Sequence, residues 1–335
     1  MHVRTALIAL AVVATARVAA AQVPTSVPAP QPQASAPAPS AQNAEGRTLA
    51  GHTFIPSAVV PGALVTTSFG SFLLLAVGSA SGTLQVGDRT FDGTYHYAGV
   101  GALLGYEYGF GEHVSARFTI DESMYSGIDG PSAITVGTKF QAGGSLGATV
   151  SFQPVDSLRV GVLLDAGTTP GLALTIGLGI KSLIDRCNAG DCTVGDTDKI
   201  LGLNNVTYAK PALAVNWAPW KPLGITANLA WEYASQKRND GDFTGSATFM
   251  GIAADLDLRH LWGVPIGLQL VGTYATAFSG TNIGGVAQVG GGIFYTGREN
   301  LSLGLQAVAR RFKIQPDLDF TWGGNLATIG LRYFW

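Results

Sequence analysis

The chain has 335 residues, of which 47% are hydrophobic, 13% are charged and 45 are glycine, with a formal net charge of −2. A soluble domain carries roughly 25% charged residues and disorder needs low hydrophobicity with high charge, so the composition excludes a disordered chain and disfavours a water-soluble globule. A helical membrane protein is disfavoured too. Past the N-terminus there is no apolar run of about 20 residues, and the charge-free stretch 260–297 holds ten glycines.

Met1 to Ala21 reads as a secretory signal peptide: Arg4 gives the positive start, Thr5 to Ala16 the apolar run and Ala19-Ala20-Ala21 the cleavage site. Its removal leaves 18 basic and 22 acidic side chains, a net charge of −4, with no basic patch of the kind nucleic acid requires. Residues 22–56 are expected to be a periplasmic linker. Pro24, Pro28, Pro30, Pro32, Pro37 and Pro39 alternate there with Ala, Ser and Gln, and proline removes backbone donors and favours extended chain.

From about residue 63 onward, apolar residues recur at every second position. Leu301, Leu303, Leu305, Ala307 and Ala309 share one face, with Ser302, Gly304, Gln306 and Arg310 on the other. Met250, Ile252, Ala254, Leu256 and Leu258 repeat the pattern, as do Leu158, Val160, Val162, Leu164 and Ala166. Side chains of a strand point alternately to opposite faces. The second face is mostly Gly, Ala, Ser and Thr with an occasional charge, which suits a crowded lumen better than a solvated exterior.

The pattern predicts an all-β fold: a transmembrane antiparallel up-and-down barrel over residues 57–335, apolar outward and polar inward. Such a barrel closes every backbone hydrogen bond between strands, as a bilayer demands. Short turns at 109–112, 153–156, 218–222, 260–263 and 297–300 alternate with longer loops at 80–93, 125–135, 236–245, 279–284 and 313–320. About twelve strands are expected, with fourteen as the alternative. Residues 168–206 are expected to be one external loop. Leu172, Leu174, Ile176, Leu178 and Ile180 alternate within it, but Leu172, Ile176, Ile180 and Ile184 also fit a helical stripe, so periodicity does not decide.

The chain ends Thr328-Ile329-Gly330-Leu331-Arg332-Tyr333-Phe334-Trp335. Tyr333 and Trp335 share the apolar face with Ala327, Ile329 and Leu331, which places them at an interfacial aromatic girdle. The ending resembles the terminal β-signal of bacterial, porin-like outer-membrane β-barrel proteins, with Thr328, Gly330, Tyr333 and Trp335 on the matching positions. The resemblance implies a Gram-negative outer-membrane protein that sits in outer-membrane lipid. It also implies the barrel assembly machinery and periplasmic chaperones as partners. It extends to architecture and not to a solute or an oligomeric state.

By parity the lumen face holds Glu107, Arg117, Asp121, Arg159, Asp165, Lys210, Glu232, Asp255, Asp257, Arg259, Arg310 and Arg332. Acidic and basic groups balance. Two readings stand: an ion-pair brace, because charges held away from water need partners, or a transverse field across a narrow aqueous channel. Asp255, Asp257 and Arg259 are expected to stack on one strand as a constriction or brace. Inner-face glycines such as Gly143 and Gly147 thin the wall.

Cys187 and Cys192 are expected to form a local disulfide in an oxidising compartment. Asp191, Asp196 and Asp198 match no regular calcium loop, and neither a metal nor a cofactor is expected. His113-Val114-Ser115 has the spacing of a His-x-Ser pair and so resembles some outer-membrane phospholipases, but Ala116 stands where those have Asn, and no proton-transfer partner is evident. The expected function is therefore not enzymatic: a passive channel for small solutes through a polar, mixed-charge lumen. A closed structural or adhesive barrel displaying its loops is the alternative, and a lipid hydrolase the third reading.

Overall fold

Alternating apolar and small or polar residues give each long segment two unlike faces, and these segments pair edge to edge as strands. The computed structural model describes residues 45–86, 89–129, 132–133, 137–174, 201–237, 243–277, 279, 283–314 and 320–335. All belong to the unit Ala41–Trp335; the other unit, Met1–Ser40, lies outside them. A 3₁₀ turn at Glu45–Arg47 leads into two short strands, β1 (Thr48–Leu49) and β2 (His52–Thr53). Twelve long strands follow. They are β3 (Ser68–Val86), β4 (Arg89–Phe110), β5 (Val114–Gly127), β6 (Thr138–Val155), β7 (Leu158–Leu174) and β8 (Leu201–Trp220), then β9 (Leu223–Lys237), β10 (Phe243–Asp257), β11 (Ile266–Ala275), β12 (Ile283–Tyr295), β13 (Leu301–Ile314) and β14 (Phe320–Phe334).

Each long strand pairs antiparallel with its sequence neighbours, and β14 closes on β3 from Phe334↔Ser68 to Thr321↔Ser81. The result is a closed twelve-stranded up-and-down barrel. Closure leaves no free sheet edge. Among the described residues no helix is long and apolar enough to cross a membrane.

The outward faces carry the oil. Leu146, Leu270 and Val289 are each about two-thirds exposed or more, in company with Leu73, Leu75, Ile252, Leu305 and Ile329. About a dozen such side chains left in water, at roughly 1.5–3 kcal/mol each, would outweigh a typical folding stability of about 5–15 kcal/mol. The outer surface therefore faces lipid. Aromatics cluster at the end with the short turns, where Phe110, Phe152, Trp217, Trp220 and Trp262 are exposed, as an interfacial girdle requires.

At the opposite end the strands run further than the alternation suggests. β3 and β4 pair up to Val86↔Arg89, so most of the expected loop 80–93 is strand. β7 and β8 pair up to Leu174↔Leu201, which takes 168–174 and 201–206 out of the expected loop 168–206. Beyond the bilayer a paired ladder needs no apolar outer face, so strands continue where the sequence signal fades. Cys187, Cys192, Asp191, Asp196 and Asp198 lie outside the described residues.

Candidate functional site: a plug in the short-turn mouth

Residues 45–67, which precede the first barrel strand, fold into the lumen at the short-turn end. This is the periplasmic end in outer-membrane barrels. Of the expected linker 22–56, residues 45–56 are described, and they belong to this plug. So do residues 57–67; the barrel wall starts at Ser68. The plug opens with a tight hairpin, β1 to β2, whose turn places Ala50 (φ 48°) and Gly51 (φ 82°) in the left-handed region. Positive φ at both central residues gives the twist a two-residue hairpin needs.

Four anchors hold the plug. At the first, Arg47 stacks on the Phe334 ring at 4.2 Å and donates through Nη2 to the Arg298 carbonyl at 3.4 Å. Burial and then the like charge of Arg332 push Arg47 down to about 10, so it stays a cation. His52, fully buried, places Nδ1 2.9 Å from the Lys221 carbonyl oxygen and its ring edge-on to Phe54.

At the third, Ile55 is gripped on both backbone groups. Its N–H donates to Asp255 Oδ2 at 3.1 Å, and its carbonyl accepts from Gln269 Nε2 at 2.9 Å. The same Gln269 amide donates to Asp255 Oδ1 at 2.7 Å, and Gln306 Nε2 donates to Gln269 Oε1. At the fourth, the Ala63 N–H donates to Asn216 Oδ1 at 2.6 Å, with Asn216 fixed by its own bond to Thr226 Oγ1. Unpaired buried backbone groups are costly; these wall side chains supply the partners a neighbouring strand would otherwise give.

Between anchors the contact is apolar and small. Val60 packs on Ala253, Val271 and Val308, and Ala63 on Leu163, Ala212, Ala214 and Ala230. Gly161 leaves room for Ala63: a Cβ there would stand 3.1 Å from the Ala63 Cβ.

The predicted lumen charges fall into several groups. Asp255 is fully buried and serves the plug. Asp257, also fully buried, accepts from Thr296 Oγ1 at 2.9 Å and from the Arg259 N–H at 3.0 Å. Arg259 does not share the strand of the two aspartates. β10 ends at Asp257, and Arg259 begins a one-turn helix, α1 (Arg259–Trp262), from which its guanidinium comes 3.7 Å from Asp257. Gly263, at φ 71°, ends that turn.

Arg117 spans β6 to reach Asp165 on β7, with Nη2 2.6 and 2.8 Å from the two carboxylate oxygens. Gly147 lies beneath this pair, and a Cβ there would collide with Asp165. Lys210 lies 3.5 Å from Glu232 and 4.0 Å over the Phe249 ring. Glu107 accepts from Ser115 Oγ and from the plug's Thr66. Arg159 is buried near the mouth, with Nη2 3.5 Å from Gln153. Arg332 stacks loosely on Phe72, and Arg310 is exposed. Asp121 is taken up below.

At the end of the chain, Tyr333 and Trp335 stack, with ring centroids 5.9 Å apart. The Trp335 N–H donates to the Thr67 carbonyl, which ties the last residue to the foot of the plug. Thr328 and Gly330 face inward on the same strand. Ser115 donates to Glu107, whereas the His113 ring lies against the Ser151 carbonyl, so no His–Ser pair is assembled. Among the described residues no cluster of His, Cys, Asp and Glu is arranged to hold a metal.

This is the architecture of an outer-membrane β-barrel. No family model and no curated protein matches the chain. Solved structures of similar architecture include the translocator domain of the autotransporter NalP from Neisseria meningitidis (13% identity, TM-score 0.44, 79% of this chain and 88% of that one). A Pseudomonas aeruginosa FadL homologue (9%, TM-score 0.45, 88% and 98%) and the Pseudomonas putida toluene transporter TodX (11%, TM-score 0.41, 87% and 97%) are also similar.

Parity alone placed Asp255 and Asp257 inside but not what they bind. Gln269, Asn216 and Thr296 carry no charge and so do not stand out in the sequence, and Gln306 stands out only as one polar residue of the inner face. The available signal was their position: inward polar residues near the short turns, among alanines and glycines too small to fill a lumen, imply a partner from elsewhere in the chain.

Proposed function

We propose that the protein is a gated channel of the bacterial outer membrane, through which small solutes diffuse when residues 45–67 leave the lumen. One observation carries this reading. At the height of the plug the wall presents Gly161, Ala212, Ala214, Ala230, Gly251 and Ala253, so much of the lumen there is filled by a separate segment and not by the wall. A barrel sealed by its wall opens only by unfolding. One sealed by a segment held through a few side-chain bonds opens when those bonds break. Export by the signal peptide, chaperoned transit and insertion by the assembly machinery complete the reading, and no residue has a catalytic role in it.

Planar-bilayer recording tests it. The full chain is expected to give rare openings, and a variant lacking residues 46–62 a long-lived open conductance. A folded deletion variant that stays silent at every voltage would leave the closed structural barrel.

A further inference from the structure

Above the plug the lumen has two unlike sides. The inward positions of β3, β4 and β14 carry Phe72, Leu74, Leu103 and Leu326, each only part-buried. They adjoin one another: Phe72 is in register with Leu103, and Leu326 with Ala76, two residues on from Leu74. Phe72 covers Gly70 and Gly330, and Leu74 lies beside Gly101, which fixes both on the inner face. The plug meets β4 and β14 near the mouth, at Glu107, Gly109 and Phe334, and none of its apolar clusters includes these four residues. An apolar strip thus lines this side of the lumen, with the Arg332 guanidinium 5.8 Å from the Phe72 ring centroid at its lower end.

Asp121 on β5 borders the strip, in register with Leu103. Its carboxylate lies in the space left by Gly143, where a Cβ would stand 2.8 Å from Oδ1 and 2.9 Å from Thr169 Oγ1. The other lumen carboxylates are engaged: Asp165 by Arg117, Glu232 by Lys210, Asp257 by Arg259 and Thr296, Glu107 by Ser115 and Thr66, and Asp255 by Ile55 and Gln269. Asp121 has neither a cation nor a side-chain donor among the described residues. A charge inside a narrow lumen is screened less than one in bulk water.

We propose that the lumen beyond the plug binds small organic cations with an apolar body, the body lying on Phe72, Leu74, Leu103 and Leu326 and the cationic group at Asp121. This names the solute class of the proposed channel and rests on that reading. An oily body alone would leave the carboxylate unmatched, and a bare inorganic cation would leave the strip facing water.

Calorimetric titration of the detergent-purified full chain tests the proposal with three probes: benzyltrimethylammonium, tetramethylammonium and benzenesulfonate. The first is expected to bind about tenfold more tightly than either of the others, and Asp121→Asn to abolish the preference for the cation. Asp121→Glu, which keeps the charge, is expected to retain it, and Leu103→Asn to narrow the gap between the two ammonium ions. Benzenesulfonate binding as tightly as benzyltrimethylammonium, or an Asp121→Asn variant that folds and keeps the preference, overturns it. Titration needs no open path. Binding with a silent plug-deleted barrel would refute the channel, and conduction without selective binding would refute this inference alone.

Discussion

Asp255 and Ile55 stand 200 positions apart in sequence and are joined at 3.1 Å, carboxylate oxygen to backbone N–H. With Gln269 on the Ile55 carbonyl, two wall side chains present an acceptor and a donor side by side, as the edge of a strand would. A closed barrel has no edge of its own to offer, so this pair replaces one and seats a segment that belongs to no sheet of the wall.

Asp255→Ala should unseat the plug. The substitution strands the Ile55 N–H and frees Gln269, a loss of about 1–3 kcal/mol, or roughly a 5- to 150-fold rise in the released population. Hydrogen exchange at the Ile55 amide should accelerate by a similar factor, with exchange in β3–β9 unchanged. Uniform acceleration across the barrel would mean that Asp255 supports the wall and not the plug.

Acidification should release the same segment through His52. Burial, opposed by the Lys221 carbonyl and Asp257 and reinforced by His260, pushes its pKa from 6.5 down to about 4. With the folded value depressed, the released chain takes up the proton first as pH falls. Seating is complete above about pH 6.5 and weakens progressively toward about pH 4, by on the order of 3 kcal/mol. Across that window the native chain should gain openings relative to His52→Gln. The same pH dependence in both proteins would contradict this.

The Arg117–Asp165 pair should depend on the missing side chain at Gly147. Gly147→Val forces the two apart at a cost of about 1–3 kcal/mol. Arg117→Ala leaves Asp165 without its bidentate partner, at about 1.5–3 kcal/mol, whereas the double variant Arg117→Ala/Asp165→Ala should recover part of that loss. Urea midpoints of the barrel in lipid vesicles should fall for both single variants and partly recover in the double one, and a double variant no more stable than Arg117→Ala would remove the brace.

At the chain end the two faces of β14 should separate in their effects. Trp335→Ala, on the lipid face, is expected to lower the folded yield in the outer membrane while leaving the plug's exchange protection unchanged in what does fold. Phe334→Ala removes the platform under Arg47 and should loosen the plug with little change in yield. Gel mobility before and after heating reports the first, and exchange at residues 47–55 the second.

The wall was readable in the sequence because its determinant is local. Period-two alternation from Leu301 to Ala309 or Met250 to Leu256 states which face each residue takes, and the pattern yields the same twelve strands that the structure closes. The plug was not readable. Val59, Val60, Pro61, Gly62 and Ala63 follow a proline-rich tract and show neither period, and their partners Asn216, Val271 and Val308 lie more than 150 positions away. Pairing among the lumen charges was equally hidden. Parity puts Arg117 and Asp165 inside, but their meeting across β6 depends on the register and on Gly147.

A reversible lock on the plug tests the central claim most directly. With Cys187 and Cys192 changed to serine, Ala63→Cys and Gly161→Cys place two thiols at a contact where a Cβ built at Gly161 stands 3.1 Å from the Ala63 Cβ, so a shift of a few tenths of an ångström brings the pair to the roughly 3.5–4.5 Å of a disulfide. Single-channel recording of this variant should show a silent barrel when oxidised and openings that return on adding dithiothreitol. Unchanged openings in the oxidised, cross-linked protein would contradict the account.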